Sequence, residues 1–161
     1  MKTHPEEGRS PPGDNVFRGH FRHTVDPKGR VSIPAKFREA LADGYGDKLV
    51  IVPNGDALET HPLKSWQELE AKVSALPRFD QDARRIRYAY LSHGKDVTLD
   101  PQGRIQIPAD YRARAGLVKD VVVVGMITSF EIWDEERWNH QQRDNGGPLE
   151  DLFERLASKG V

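Results

Sequence analysis

The chain has 161 residues, 24 basic and 25 acidic, and its formal net charge of −1 gives no bulk attraction to nucleic acid, so any basic surface must arise from local clustering. It has no cysteine, which excludes disulfide frameworks, thiolate nucleophiles and cysteine-type zinc sites and fits a reducing cytoplasm. Only 37% of the residues are hydrophobic, and no run approaches the roughly 18 apolar residues of a membrane span.

Residues 1–15 contain no apolar signal region and read as a disordered leader. Phe17, Gly19, Phe21, His23 and Val25 then fall at period two between polar residues, the pattern of a half-buried strand. Asp26-Pro27-Lys28-Gly29 matches a type I turn whose glycine completes a three-residue hairpin with a bulge. Arg30 to Ile33 alternates as the return strand, and Pro34 suits the first position of a helix from Ala35 to about Leu41. Asp43-Gly44-Tyr45-Gly46 ends that helix, and Leu49 to Val52 reads as a buried strand paired with one near Leu58 to Thr60.

Two linking helices follow. Ser65 is placed to cap one with Trp66, Leu69, Val73 and Leu76 at helical spacing, and Asp80 to cap another through Ile86 and Tyr90. A strand ending at Leu99, a turn at Asp100 to Gly103, a strand from Arg104 to Ile107 and a short helix from Pro108 come next. Strands at Val121 to Val124 and Phe130 to Trp133 precede a helix capped by Asp134. After Pro148, Leu149, Leu152, Phe153 and Leu156 share one helical face, expected to pack on the chain's own fold.

This order of elements occurs twice because the sequence does. Val25-Asp-Pro-Lys-Gly-Arg-Val-Ser-Ile-Pro-Ala-Lys-Phe-Arg38 returns as Leu99-Asp-Pro-Gln-Gly-Arg-Ile-Gln-Ile-Pro-Ala-Asp-Tyr-Arg112, an offset of 74 between Asp26 and Asp100. Halves of about 70 residues are marginal as independent cores, so each half needs its twin, and association between chains is expected as well.

In the repeated Asp-Pro-x-Gly-Arg, Asp26 and Asp100 accept turn amides, proline presets φ, and Gly29 and Gly103 supply a positive φ. Arg30 and Arg104 leave the turn on a strand, and two readings stand for them. Either each pairs with its own aspartate or a neighbouring half, or each reads a base edge from a ribbon in the major groove. A bidentate arginine–guanine contact there gives about 1–3 kcal/mol of discrimination. Lys28 sits at the first tip where Gln102 stands in the second, so the first half is the stronger candidate reader. Arg38 and Arg112 lie on the short helices, either as a solvated face or as phosphate contacts. The run Arg84-Arg85-x-Arg87 reads as a solvated helix face or a subunit contact before a second DNA site.

These residues resemble the MraZ transcriptional regulators, whose signature is two Asp-x-x-x-Arg motifs in tandem AbrB-like (SpoVT-AbrB) halves of one chain. The likeness runs from Val16 to about Gln142 and includes Phe17-Arg-Gly19, Lys28-Gly-Arg-Val-Ser-Ile-Pro34, Val124-Gly125 and Phe130-Glu-Ile-Trp-Asp134. It departs where fifteen residues precede Val16 and where Gln102 replaces a basic residue. The resemblance implies an α+β fold, mainly β with helices, in which two swapped-hairpin halves form a pseudo-dimeric β-barrel with linking and C-terminal helices. The corresponding boundaries are a leader over 1–15, a first AbrB-like half over 16–62, a helical connector over 63–92, a second half over 93–138 and a helical tail over 139–161.

It further implies a homo-oligomeric ring, cytoplasmic and nucleoid-associated. Such a ring binds direct repeats in double-stranded DNA upstream of the operon for cell division and cell-wall synthesis, and modulates that operon, its own gene included. Arg30 is then the leading DNA contact, Arg104 its counterpart, and Lys28, Arg38 and Arg112 lesser ones. An AbrB-like antitoxin is the first alternative, although its usual architecture has one half per chain. A small hydrolase is the second, and no catalytic constellation supports it: His20 and His23 are three apart on a strand and face opposite ways, and no phosphate loop or nucleophile elbow occurs. No cofactor, metal, membrane or small-molecule substrate is expected.

Overall fold

The structure, a computed structural model, describes residues 16–144 and 146–161, so the expected leader lies outside the described residues. The first half contributes β1 (His20–Thr24), β2 (Arg30–Ser32), α1 (Ala35–Gly44), β3 (Lys48–Asn54) and β4 (Ala57–Pro62). Two connecting helices, α2 (Leu63–Ser74) and α3 (Gln81–Ala89), lead to the second half: β5 (Lys95–Thr98), β6 (Arg104–Gln106), α4 (Ala109–Ala115), β7 (Asp120–Gly125) and β8 (Phe130–Asp134). Helices α5 (Glu135–Arg143) and α6 (Leu149–Ala157) follow.

The helix starts follow local chemistry. Asp80 and Asp134 cap α3 and α5, accepting the Ala83 amide at 2.9 Å and the Arg137 amide at 3.1 Å. Ser65 does not cap α2. Pro62, extended at φ −55° and ψ 140°, both ends β4 and launches the helix at Leu63, so Ser65 falls inside the first turn. Pro34 likewise stands just before α1 and not at its first helical position.

The antiparallel sheet runs β1-β7-β8-β4-β3-β5, and β2 pairs with β6 in a separate ribbon. The halves therefore exchange strands. Each Asp-Pro-x-Gly turn does reverse the chain, with the Asp26 amide on the Arg30 carbonyl at 2.9 Å and the Gly29 amide on the Asp26 carbonyl at 2.9 Å. The return strand then leaves its own hairpin: beyond a Val25–Val31 bridge, β2 joins β6 and β1 joins β7. The physical reason is burial. A three-residue strand presents one apolar side chain, and β2–β6 pairing sets Val31 opposite its repeat-mate Ile105, both buried in one shared core.

That core gathers Val31, Ile33 and Phe37 with Ile105, Ile107, Val121, Val123 and Phe130. Phe17 closes one end, edge-on to Phe37 at 5.3 Å and to Phe130 at 5.2 Å. On the other face of β3, Val50 and Val52 meet Trp66 beneath the connecting helices. The α6 stripe, in contrast to expectation, is mostly open: Leu149, Leu152 and Phe153 are exposed, while Leu156 is half-buried. Pro148 restarts the chain in an extended conformation after two glycines of positive φ, so α6 is not steered onto the body by the end of α5.

Thr60 on β4 is fully buried, and its Oγ1 has no hydrogen-bond partner among the described residues. A hydroxyl left dry costs more than a methyl of the same shape. Thr60→Val is therefore expected to stabilise the chain by about 1–2 kcal/mol, measured as a higher urea midpoint at unchanged slope.

Candidate nucleic-acid interface

Each repeated turn is built by its aspartate. Asp26 Oδ1 accepts the amides of Lys28 at 2.9 Å and Arg30 at 2.8 Å, and its Oδ2 accepts Arg30 Nε at 2.6 Å. In the second half Asp100 Oδ1 takes the amides of Gln102 and Arg104, and Oδ2 takes Arg104 Nε, all at 2.9 Å. One carboxylate thus holds both the backbone reversal and the root of the arginine. Both guanidiniums remain partly open to solvent, with side-chain exposures of 30% for Arg30 and 28% for Arg104.

The ribbon decides where these arginines point. Its register pairs Arg30 with Gln106, Val31 with Ile105 and Ser32 with Arg104. Side chains alternate along a strand, so with Val31 and Ile105 turned into the core, Arg30, Ser32, Arg104 and Gln106 form the outward face. One arginine from each half is thereby displayed on a single two-stranded surface. The two are not equivalent. Arg104 Nη2 also reaches Gln102 Oε1 at 3.4 Å, whereas Lys28 at the matching position of the first turn is an exposed cation. Gln106 Nε2 donates to the Lys28 carbonyl, tying the second strand to the first tip.

Arg38 and Arg112 are brought to the same place from the helices, by a route the sequence did not show. Arg38 Nε donates to the Ile33 carbonyl at 3.0 Å and Arg112 Nε to that of Ile107 at 3.1 Å. Each then lies over the glycine of the opposite half. A Cβ on Gly29 would sit 2.6 Å from Arg112 Cζ, and one on Gly103 would sit 2.4 Å from Arg38 Cδ. The glycines thus serve twice, with φ of +83° and +79° for the turn and with a bare Cα that admits the other half's arginine. Lys28, Arg30, Arg38, Arg104 and Arg112 consequently gather around one ribbon in a chain of net charge −1. Such a surface, cationic and two strands wide, suits phosphate attraction and base-edge contact.

A second polar cluster was missed at the sequence level. Glu59 on β4 lies directly opposite Glu131 on β8. Glu59 accepts from Asn54 at 2.6 Å, contacts His61 at 2.9 Å and accepts the Tyr90 hydroxyl, while Glu131 accepts Trp133 Nε1 at 2.8 Å. The available signal was a glutamate repeated directly after an apolar residue, in Leu58-Glu59 and Phe130-Glu131. Burial pushes Glu131 upward and the facing Glu59 charge adds to it; burial of Glu59 is outweighed by its three donors, which hold it low. His20 packs near Trp138 on one face of β1, and His23 lies beside Arg38 on the other. Among the described residues no group of three or more His, Asp or Glu is arranged to hold a metal ion, and no helix is long and apolar enough to cross a membrane.

Residues 16–88 and 90–159 each match the family described as "MraZ protein, putative antitoxin-like". The chain is similar to the transcriptional regulator MraZ of Acetivibrio thermocellus, 39% identical over 147 residues that cover 91% of this chain and all of that protein. It is also similar to the transcriptional regulator MraZ of Moorella thermoacetica, 42% identical over 147 residues covering 91% and 97% of the two chains. The transcriptional regulator MraZ of Natranaerobius thermophilus is 39% identical over 144 residues, 88% of this chain and 97% of that one.

The turn aspartates carry a pH signature. For Asp26 the Arg30 amide leads and, with the Arg30 guanidinium and the Lys28 amide, holds the carboxyl below the usual aspartate range against desolvation. For Asp100 desolvation is the leading influence but is outweighed by the Arg104 amide and guanidinium together. A depressed carboxyl stabilises the fold above its unfolded pKa and loses that contribution as pH falls through its folded value. The double variant Asp26→Asn with Asp100→Asn should thus be less stable than the parent near neutrality. Its melting temperature should also fall less steeply between about pH 5 and pH 2. Parallel melting curves across that window would show the pairs to be energetically silent.

Proposed function

The chain belongs to the MraZ family, and from that premise, together with the outward pair of arginines, we propose that it is a transcriptional regulator that binds double-stranded DNA sequence-specifically through the β2–β6 ribbon. The observation that carries this reading is the register Arg30↔Gln106 and Ser32↔Arg104, which puts a guanidinium from each half on one exposed, core-backed surface. Arg30 is the principal base reader and Arg104 its weaker counterpart, restrained by Gln102. Lys28 supplies phosphate attraction at the first tip. Arg38 and Arg112 act beside them as phosphate contacts, from positions where they also brace the opposite turn. Asp26, Gly29, Asp100 and Gly103 hold the turns that aim the arginines.

The targets are direct repeats upstream of the operon for cell division and cell-wall synthesis, the regulator's own gene included. Subunits assemble as a homo-oligomeric ring in the cytoplasm, on the nucleoid. Several ribbons then engage several repeats, each weakly and together strongly. The chemistry is recognition alone: no small-molecule substrate or cofactor enters.

Footprinting and fluorescence anisotropy on DNA upstream of the chain's own gene test this. Arg30→Ala should lower affinity for the specific site by about 10- to 100-fold, in keeping with one lost bidentate base contact. Its affinity for unrelated duplex should be nearly unchanged, and its melting and assembly state close to those of the parent. Lys28→Ala should weaken specific and unrelated DNA alike and reduce the salt slope by about 1. An Arg30→Ala protein that still discriminates its site, or a parent whose duplex binding ignores salt, would overturn the reading.

A further inference from the structure

The outward face of the β2–β6 ribbon carries two residues besides its arginines, and they differ between the halves. Gln106 stands opposite Arg30 and Ser32 opposite Arg104, both exposed. They are equivalent in the repeat, each two residues beyond its arginine. A serine hydroxyl stays close to the backbone, whereas a glutamine carries its amide farther out. Only the second half therefore extends a long neutral polar side chain beside an arginine.

Gln106 is held in one orientation. Its Nε2 donates to the Lys28 carbonyl, and a carbonyl can only accept, so the nitrogen and oxygen of the amide cannot be exchanged. Oε1 is the end left over, and among the described residues no group donates to it. Arg30 spends only its Nε, on Asp26 Oδ2 at 2.6 Å, and keeps both terminal nitrogens. This edge of the ribbon thus offers the donors of Arg30 next to the acceptor of Gln106. The other edge does not: Arg104 Nη2 is turned to Gln102, and Ser32 has the shorter reach.

Base edges in the major groove answer these groups differently. Guanine presents two acceptors, O6 and N7, to an arginine, while a lone acceptor is answered by an exocyclic amine, adenine N6 or cytosine N4. Side chains opposite each other across a ribbon stand about 5 Å apart, against a rise of about 3.4 Å per base pair. Arg30 and Gln106 are accordingly spaced for neighbouring base pairs.

We propose that Gln106 is a specificity-determining residue, its Oε1 accepting from the amine of an adenine or a cytosine in the base pair next to the guanine that Arg30 reads. This inference rests on the DNA-binding reading of the ribbon and extends it. It also gives the ribbon a direction. A ribbon with two equal edges would match a palindrome, whereas an Arg30–Gln106 edge and an Arg104–Ser32 edge read an unsymmetrical sequence, as a site used in direct repeat requires.

The test uses the full chain and fluorescein-labelled duplexes of the footprinted repeat, each base pair replaced in turn by the other three, with affinity read by anisotropy at fixed salt. The guanine of Arg30 is the position at which Arg30→Ala loses the parent's preference. At one neighbour of it the parent should bind adenine and cytosine about 3- to 10-fold more tightly than guanine and thymine, in keeping with one neutral hydrogen bond. A preference for only one of the two also supports the proposal and names the amine. Gln106→Leu should bind all four bases there alike and keep the guanine preference, with melting unchanged because the side chain is exposed. Ser32→Gln, altering a residue equally exposed, should acquire an amine preference beside the base that Arg104 meets. A parent indifferent at both neighbours, or a Gln106→Leu protein with the parent's pattern, would overturn the proposal. So would a Gln106→Leu protein that weakens every duplex equally, since Gln106 would then only brace the Lys28 tip. In each of these outcomes a guanine preference lost in Arg30→Ala leaves the DNA reading standing, and a parent that does not distinguish the repeat from unrelated duplex removes both.

Discussion

The exchange of strands between the halves is the constraint on which the rest depends. Neither half buries its apolar strands by itself: β1 has its partner in β7, β5 in β3, and β2 in β6. The pairing is that of two copies about an approximate twofold axis. At one end of the axis Val31 meets Ile105, and at the other Glu59 meets Glu131, each the other's counterpart in the repeat. Cutting the chain in the connector would leave each part with unpaired strand edges and an open core. The interdependence also explains how a chain with so modest an apolar fraction folds: its two small sets of strands share one interior.

The same exchange creates the candidate interface. Had β2 paired with β1 over its length, Arg30 and Arg104 would stand on separate hairpins. Pairing across the halves sets them on neighbouring strands, with Ile33 and Ile107 tied by backbone bonds of 2.9 Å to Gly103 and Gly29 of the opposite turns. Arg38 and Arg112 reinforce that crossing, each bonded to a carbonyl of its own half and laid over the glycine of the other. Folding and display of charge are therefore one event. A side chain at Gly29 or Gly103 would strain the turn and push the guanidinium of the other half out of place, damaging the core contact and the cationic surface together.

Local features were legible in the sequence because local chemistry sets them. The Asp-Pro-x-Gly turn, the alternation through Phe21 and His23, the buried run Leu49 to Val52 and the caps at Asp80 and Asp134 all depend on residues a few positions apart. Ser65 misled for a local reason too, since a serine and the end of a strand-terminating proline compete to start a helix, and Pro62 comes first. What alternation cannot tell is which strand lies alongside. It shows which face of β2 is apolar, while the choice of β6, 74 residues away in the repeat, is made by the joint burial of Val31 and Ile105. The seats of Arg38 and Arg112 and the meeting of Glu59 with Glu131 follow from that pairing, so they were out of reach for the same reason.

Fusion of the two halves permits differences that a dimer of identical chains would forbid. Thr60 stands where the second half has Ile132, His61 where it has Trp133, and Lys28 where it has Gln102. At the Glu59–Glu131 pair the difference has a use. Two like-charged groups facing each other in a half-buried ladder repel, and the asymmetric neighbours divide the load: His61, Asn54 and Tyr90 favour the ionised form of Glu59, while Glu131, which accepts from Trp133, is pushed toward the neutral form by burial and by the facing Glu59 charge. Symmetric halves would give both carboxylates the same surroundings and the same tendency to ionise. The unequal tips of the ribbon follow the same logic. Once two arginine-bearing tips are held in one chain, the first can keep its lysine and an arginine bonded to its own aspartate, while the second gives up part of its freedom to Gln102 without loss to the shared fold.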